Sequence, residues 1–241
     1  MDMLVRVDPQ FSWSFRQVHR PFSGELKAHE MQLACVSDHL KTFSSLISAL
    51  GQGHFEIDSG RLEMAKHDVW QALLRLDNQC LKTLAQDELL LPQRLTIASL
   101  LHCSGSFRNV VNCFQRLGER LIVIRDQHPP AALRVLGELG SETILMLDRT
   151  MEALRGLDPS LARAVLEQES WTVYLSKSFH SNATKALFQD DYNLEWVTEC
   201  HSVVHHWEGI VGSSASIARE VLRLQTSTPP GPPLSVPMVV Q

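Results

Sequence analysis

The sequence predicts an all-α protein of two tandem three-helix bundles, on three observations. Long stretches keep helical spacing without internal breakers; from Gly60 to Pro92 no glycine or proline intervenes. Clusters of β-branched residues with period 2 are missing, so no sheet is expected. A short motif also recurs: "LAQDELLL" (Leu84 to Leu91) and "LFQDDYNL" (Leu187 to Leu194) share L-x-Q-D-acid-x-x-L at an offset of 103 residues.

Six helices follow in order. The first, over 22–50, ends at "GQGHFEIDSG" (Gly51 to Gly60). The second spans 54–86 and stops at the turn before Pro92. The third, 90–125, stops at "DQHPP" (Asp126 to Pro130). The fourth, 131–156, stops at "RGLDP" (Arg155 to Pro159). The fifth, 159–188, starts on Asp158-Pro159, an N-cap acid followed by a proline that needs no amide hydrogen there. The sixth, 192–225, follows "QDDYN" (Gln189 to Asn193). Both copies of the repeated motif close a long second helix and open a third, which predicts duplication. The units are 22–126 and 131–225. Long helices joined by short turns make up-down bundles. The tail over 226–241 is proline-rich and is expected to be extended or disordered.

The chain of 241 residues is long enough to bury a sizeable core. Its formal net charge of -5 offers no basic excess for nucleic acid. No run approaches the roughly 18 apolar residues of a membrane span. The start "MDMLVRVDPQFSWSF" lacks a basic segment followed by an apolar core, so no signal peptide is expected. Five scattered cysteines without C-x-x-C read as reduced thiols of a cytoplasmic protein.

The last helix carries the least ordinary residues. Val197, Val204, Val211 and Ala218 recur every seven positions, interleaved with His201, Glu208, Ala215 and Leu222. Together they predict a buried seam with His201 and Glu208 in line with valines. His205 and Gly212 share the flank. A buried carboxylate needs a cation, a partner or a proton. Glycines at 209 and 212 each cost roughly 1 kcal/mol of helix stability unless something approaches the backbone. Three readings of Glu208 stay open. It reaches water at the seam's edge and pairs with Lys or Arg; it holds a metal with His205 or His201; or it serves as an acid–base group.

Other motifs are weaker. His67-Asp68 is one dipeptide of a metal phosphohydrolase pattern that needs more ligands. No Glu-x-x-His occurs for a ferritin-like di-iron site, and "HSVVHHWE" is not H-E-x-x-H. There is no P-loop, no G-x-G-x-x-G and no G-x-S-x-G. The tail's "PPGPP" suits an SH3-like groove.

The helical plan, the repeat and several local stretches resemble the PhoU family of phosphate-uptake regulators. That family's third helices carry a motif close to Glu-Arg-Ile-Gly-Asp with an apolar residue beyond. "WEGIVGSSASIA" fits in register: Glu208 stands at the glutamate, Ile210 at the isoleucine, Gly212 at the aspartate and Ile217 at the later apolar place. In the first unit "FRNVVNCFQRL" puts Arg108 and Asn112 at the acidic places, or Phe107 and Val111 if shifted by one. Arg94 fits the arginine that opens the third helix, Asp68 and Glu169 fit the second-helix acids, and "PFSGELKAHEM" fits the opening.

The resemblance implies a cytoplasmic, non-enzymatic, dimeric regulator. Its partners would be phosphate ABC transporter components and a sensor kinase. It also implies iron or zinc on acidic helix faces. In this chain such a site falls to Glu208, His205, His201 and Glu169 of the second repeat. None is expected in the first, where Arg108 would repel a metal and favour an anion or a carboxylate. Two further readings are a helical scaffold or adaptor without a phosphate role, and a metal-dependent hydrolase.

Overall fold

The computed structural model describes residues 23–51, 58–125, 130–188 and 194–226. They form six helices: α1 (Ser23–Gly51), α2 (Ser59–Leu84), α3 (Leu91–Arg125), α4 (Pro130–Gly156), α5 (Pro159–Phe188) and α6 (Leu194–Thr226). No strand occurs among the described residues. The tail beyond Thr226 and the break "QDDYN" lie outside them, as do 52–57 and 126–129.

Local chemistry sets the helix ends. α2 opens at Ser59, later than its spacing predicts, because extended Asp58 caps it. The Asp58 carboxylate accepts from the Arg61 amide at 2.9 Å, which occupies an otherwise orphaned donor. Before α3, the Gln93 side chain accepts from the Leu90 amide at 2.8 Å, half of a capping box. Arg94 donates to the Leu89 carbonyl at 3.2 Å and so braces the same turn. At the end of α4, Leu157 takes the left-handed conformation, with φ 45°. The Leu157 amide returns to the Leu154 carbonyl and the Asp158 amide to the Ala153 carbonyl, closing a Schellman turn. Asp158 then caps α5 through the amides of Ser160 and Leu161. The Ser160 hydroxyl, outweighing slight burial, holds the Asp158 carboxyl below its usual range, with help from those amides.

Within each unit every helix touches the other two: α1, α2 and α3 in the first, α4, α5 and α6 in the second. The units join where α3 meets α6 and α1 meets α4. Helices in equivalent places therefore meet, as they do when one surface pairs with a copy of itself. One core runs through all six helices. In the first unit Phe43 meets Phe114 with ring centroids 5.3 Å apart. Each such buried ring contributes roughly 1.5–3 kcal/mol by leaving water. In the second unit Trp207 of α6 presses on α4 at Gly140. A Cβ there would lie 2.7 Å from the indole, so the contact requires glycine. Cys80, Cys103, Cys113 and Cys200 are buried free thiols that fill space between helices. Burial pushes the thiols of Cys80, Cys103 and Cys200 up to about 12, so they stay protonated.

The seam expected on α6 needs correction. Val197, Val204, Val211, Ala215 and Ala218 are buried as the spacing predicts. A second row, Val203, Trp207, Ile210, Ser214, Ile217 and Val221, is buried as well. The reason is that α6 is flanked by α3, α4 and α5, so its covered stripe is wider than one seam. Glu208 and His201 fall on the edge of that stripe. The Glu208 side chain is 40% exposed, so its charge faces water and not the core.

Candidate functional site

The polar cluster around Glu208 is built by α5 and α6. Ser176 and His180 stand one turn apart on α5, and His201, His205 and Glu208 share a flank of α6. The Ser176 hydroxyl donates to Glu208 Oε1. His180 Nε2 lies 3.8 Å from the same oxygen, and His205 Nδ1 lies 3.9 Å from Oε2. His201 packs edge-on against the His180 ring at 4.5 Å. Its Nε2 is buried with no hydrogen-bond partner among the described residues. Burial, then the neighbouring His180, lowers the His201 pKa, so its ring is neutral at pH 7.

Beside this cluster lies a small cleft of about 140 Å³, between α4, α5 and α6. Glu208, Glu169, Ser176 and Gly212 line it, with Leu139 of α4 as its apolar wall. Two expected site residues, Glu208 and Glu169, therefore face one space. Their charges are used differently. Glu169 accepts from Arg219 Nη2 at 2.7 Å, an ion pair between α5 and α6. Gly212 has nothing within 4 Å of where a Cβ would stand, so its small size leaves the cleft open and serves no helix contact.

The first unit has the opposite polarity. Arg108 on α3 forms an ion pair with Asp77 on α2 and lies over the Trp70 ring, 5.6 Å from its centroid. The carboxylate partner expected for Arg108 is thus internal. Asp68 and His67 are exposed on α2. Asn112 is exposed on α3.

Among the described residues, no three His, Cys, Asp or Glu side chains gather closely enough to hold a metal ion. Glu169 is occupied by Arg219, and His201 faces the His180 ring and not Glu208. As arranged, this donor set does not fit an iron or zinc centre, which needs several donors converging at about 2 Å. Sequence reasoning missed Ser176, His180 and Asp77. Ser176 and His180 do carry a signal, a spacing of four on one helix, but it acquires meaning only once α5 is known to face α6.

The fold and cluster define a class: a six-helix protein of paired three-helix bundles with a polar cleft on an outer face. No family model matches the chain, and no curated protein matches it in sequence. Solved structures do match. PhoU from Pseudomonas aeruginosa superposes with a TM-score of 0.78 at 17% identity, covering 86% of this chain and 100% of that one. The phosphate transport system regulatory protein PhoU from Streptococcus pneumoniae superposes with a TM-score of 0.75 at 16% identity, covering 86% and 98%. The chain therefore has a PhoU-like fold carried by a diverged sequence. No described helix is long and apolar enough to cross a membrane.

Proposed function

We propose that this chain is a PhoU-like regulator of phosphate transport and phosphate-starvation signalling, acting by binding and not by catalysis. The observation that carries the reading is the match of the fold over the whole length of the P. aeruginosa protein. On this reading it works in the cytoplasm, as a homodimer, on phosphate ABC transporter components and a sensor kinase. A docking role also agrees with the surface of α5. There Trp171 and Tyr174 stack at 5.5 Å while 51% and 61% exposed, and partners often bury such rings.

The proposal includes no metal step, because the side chains at Glu208 do not converge as ligands. Its test is genetic. Deleting the gene should derepress phosphate uptake in phosphate-rich medium, and restoring the chain should repress it again. Unchanged uptake would sink the regulator reading and leave a helical adaptor without a phosphate role.

A further inference from the structure

A second, larger concavity lies on the neighbouring flank of α6, where it meets α3. Its volume is about 810 Å³, within the usual range for small-molecule sites. Asn112, Arg116 and Glu119 stand on the α3 wall, and His205, His206 and Gly209 on the α6 wall. The walls come close because Gly209 has no side chain and Cys113 fills its place.

Two polar groups here, the Arg116 guanidinium and the Asn112 amide, are not consumed by the fold. Arg120, one turn beyond Arg116 on α3, pairs with Glu199 at 2.9 Å, Arg108 with Asp77, and Arg219 with Glu169. Arg116, by contrast, is exposed and makes no hydrogen bond or ion pair with any described residue; the same holds for the Asn112 amide. Glu119, the acid on this wall, accepts from Gln115 at 3.1 Å. His206 is held below its ordinary pKa by burial first, and then by His205, Arg116 and Arg120, against the opposite pull of Glu119. An acidic chain, of net charge -5, thus keeps an unpaired guanidinium beside two imidazoles and an amide. Donors on two facing walls suit an anion with several oxygens, and a guanidinium fork matches two of them.

We propose that the groove between α3 and α6 binds an oxyanion of the phosphate class, held by Arg116 with Asn112, His205 and His206. The ligand is free inorganic phosphate or the terminal phosphoryl group of a nucleotide. The inference rests on the groove alone and does not need the regulatory reading.

Calorimetric titration of the full chain in low-salt buffer at pH 7, with inorganic phosphate and separately with ADP, tests it. Saturable binding of phosphate supports the free ion; binding of ADP without phosphate supports a phosphoryl group on a larger molecule. Arg116→Gln should weaken binding by about tenfold or more, the loss typical of one charge-assisted pair. Glu119→Gln should tighten it by removing repulsion. Arg163→Gln, which removes the same charge from an exposed place on α5, should leave it unchanged. Circular dichroism confirms that each variant is folded. Absence of saturable binding for both ligands overturns the proposal. So does wild-type affinity in Arg116→Gln, or an equal loss in Arg163→Gln.

Discussion

Cys113 of α3 occupies the space that a side chain at Gly209 of α6 would fill; a Cβ there would lie 2.7 Å from Sγ. The contact sits where the two bundles join, and Asn109 reinforces it by donating to Ser213 Oγ at 2.8 Å. The glycine lets two long helices approach, and the groove above them follows from that approach.

The two nearby glycines on α6 should therefore respond to alanine with opposite signs. Gly212→Ala gains helix propensity in open space and should stabilise by roughly 0.5–1 kcal/mol. Gly209→Ala gains the same propensity but forces Cys113 away, a repacking that costs about 1–3 kcal/mol, so it should destabilise. Urea denaturation measures both. Cys113→Ala in the Gly209→Ala background should recover part of the loss, and a Gly209→Ala protein as stable as wild type would refute the close approach.

Arg108 and Asp77 are partly buried, at 31% and 15% exposure, which places their ion pair between surface and core. Arg108→Ala leaves the Asp77 carboxylate without its cation and should cost about 1–3 kcal/mol, between the values for exposed and buried pairs. Replacing both by leucine should restore most of that stability. A double variant no more stable than Arg108→Ala would show that the packing on Trp70, and not the charge, matters.

His201 predicts an acid-sensitive fold. Its folded pKa is lowered by burial and then by His180, so the unfolded chain binds the proton more tightly. Stability from this group is present above the unfolded value and is lost as pH falls through it toward the lowered one. The melting temperature should drop between pH 7.5 and pH 5.5, and His201→Gln should reduce the drop. An unchanged pH profile in the variant would remove His201 from the account. His206, lowered by burial and by the cations around it, adds to the same trend.

Glu208 gives a chemical test of the metal question. Protein purified without an affinity tag should carry no stoichiometric iron or zinc, because Ser176, His180 and His205 surround the carboxylate without forming a ligand set. Stoichiometric metal that disappears in Glu208→Ala would reverse this conclusion and restore the set Glu208, His205, His201 and Glu169.

The sequence by itself determined that six long helices form. Asp158-Pro159 marks the start of α5 because capping is a matter of adjacent residues, and the breaker-free run after Gly60 yields α2 for the same reason. It also singled out Glu208, Glu169 and Arg108 as charges on helix faces. What those charges meet was decided only in three dimensions. Nothing along the chain says that Arg108 will find Asp77 across 31 residues, that Glu169 will find Arg219 across 50, or that Ser176 will reach Glu208. Helical period is a local property of one segment, whereas the rotation and register between two helices come from how their ridges interlock over the full contact. For α6, pressed by three neighbours, that packing widened the buried stripe and left Glu208 at its edge, where it reaches water as one of the three readings has it but meets Ser176, His180 and His205 in place of a Lys or Arg.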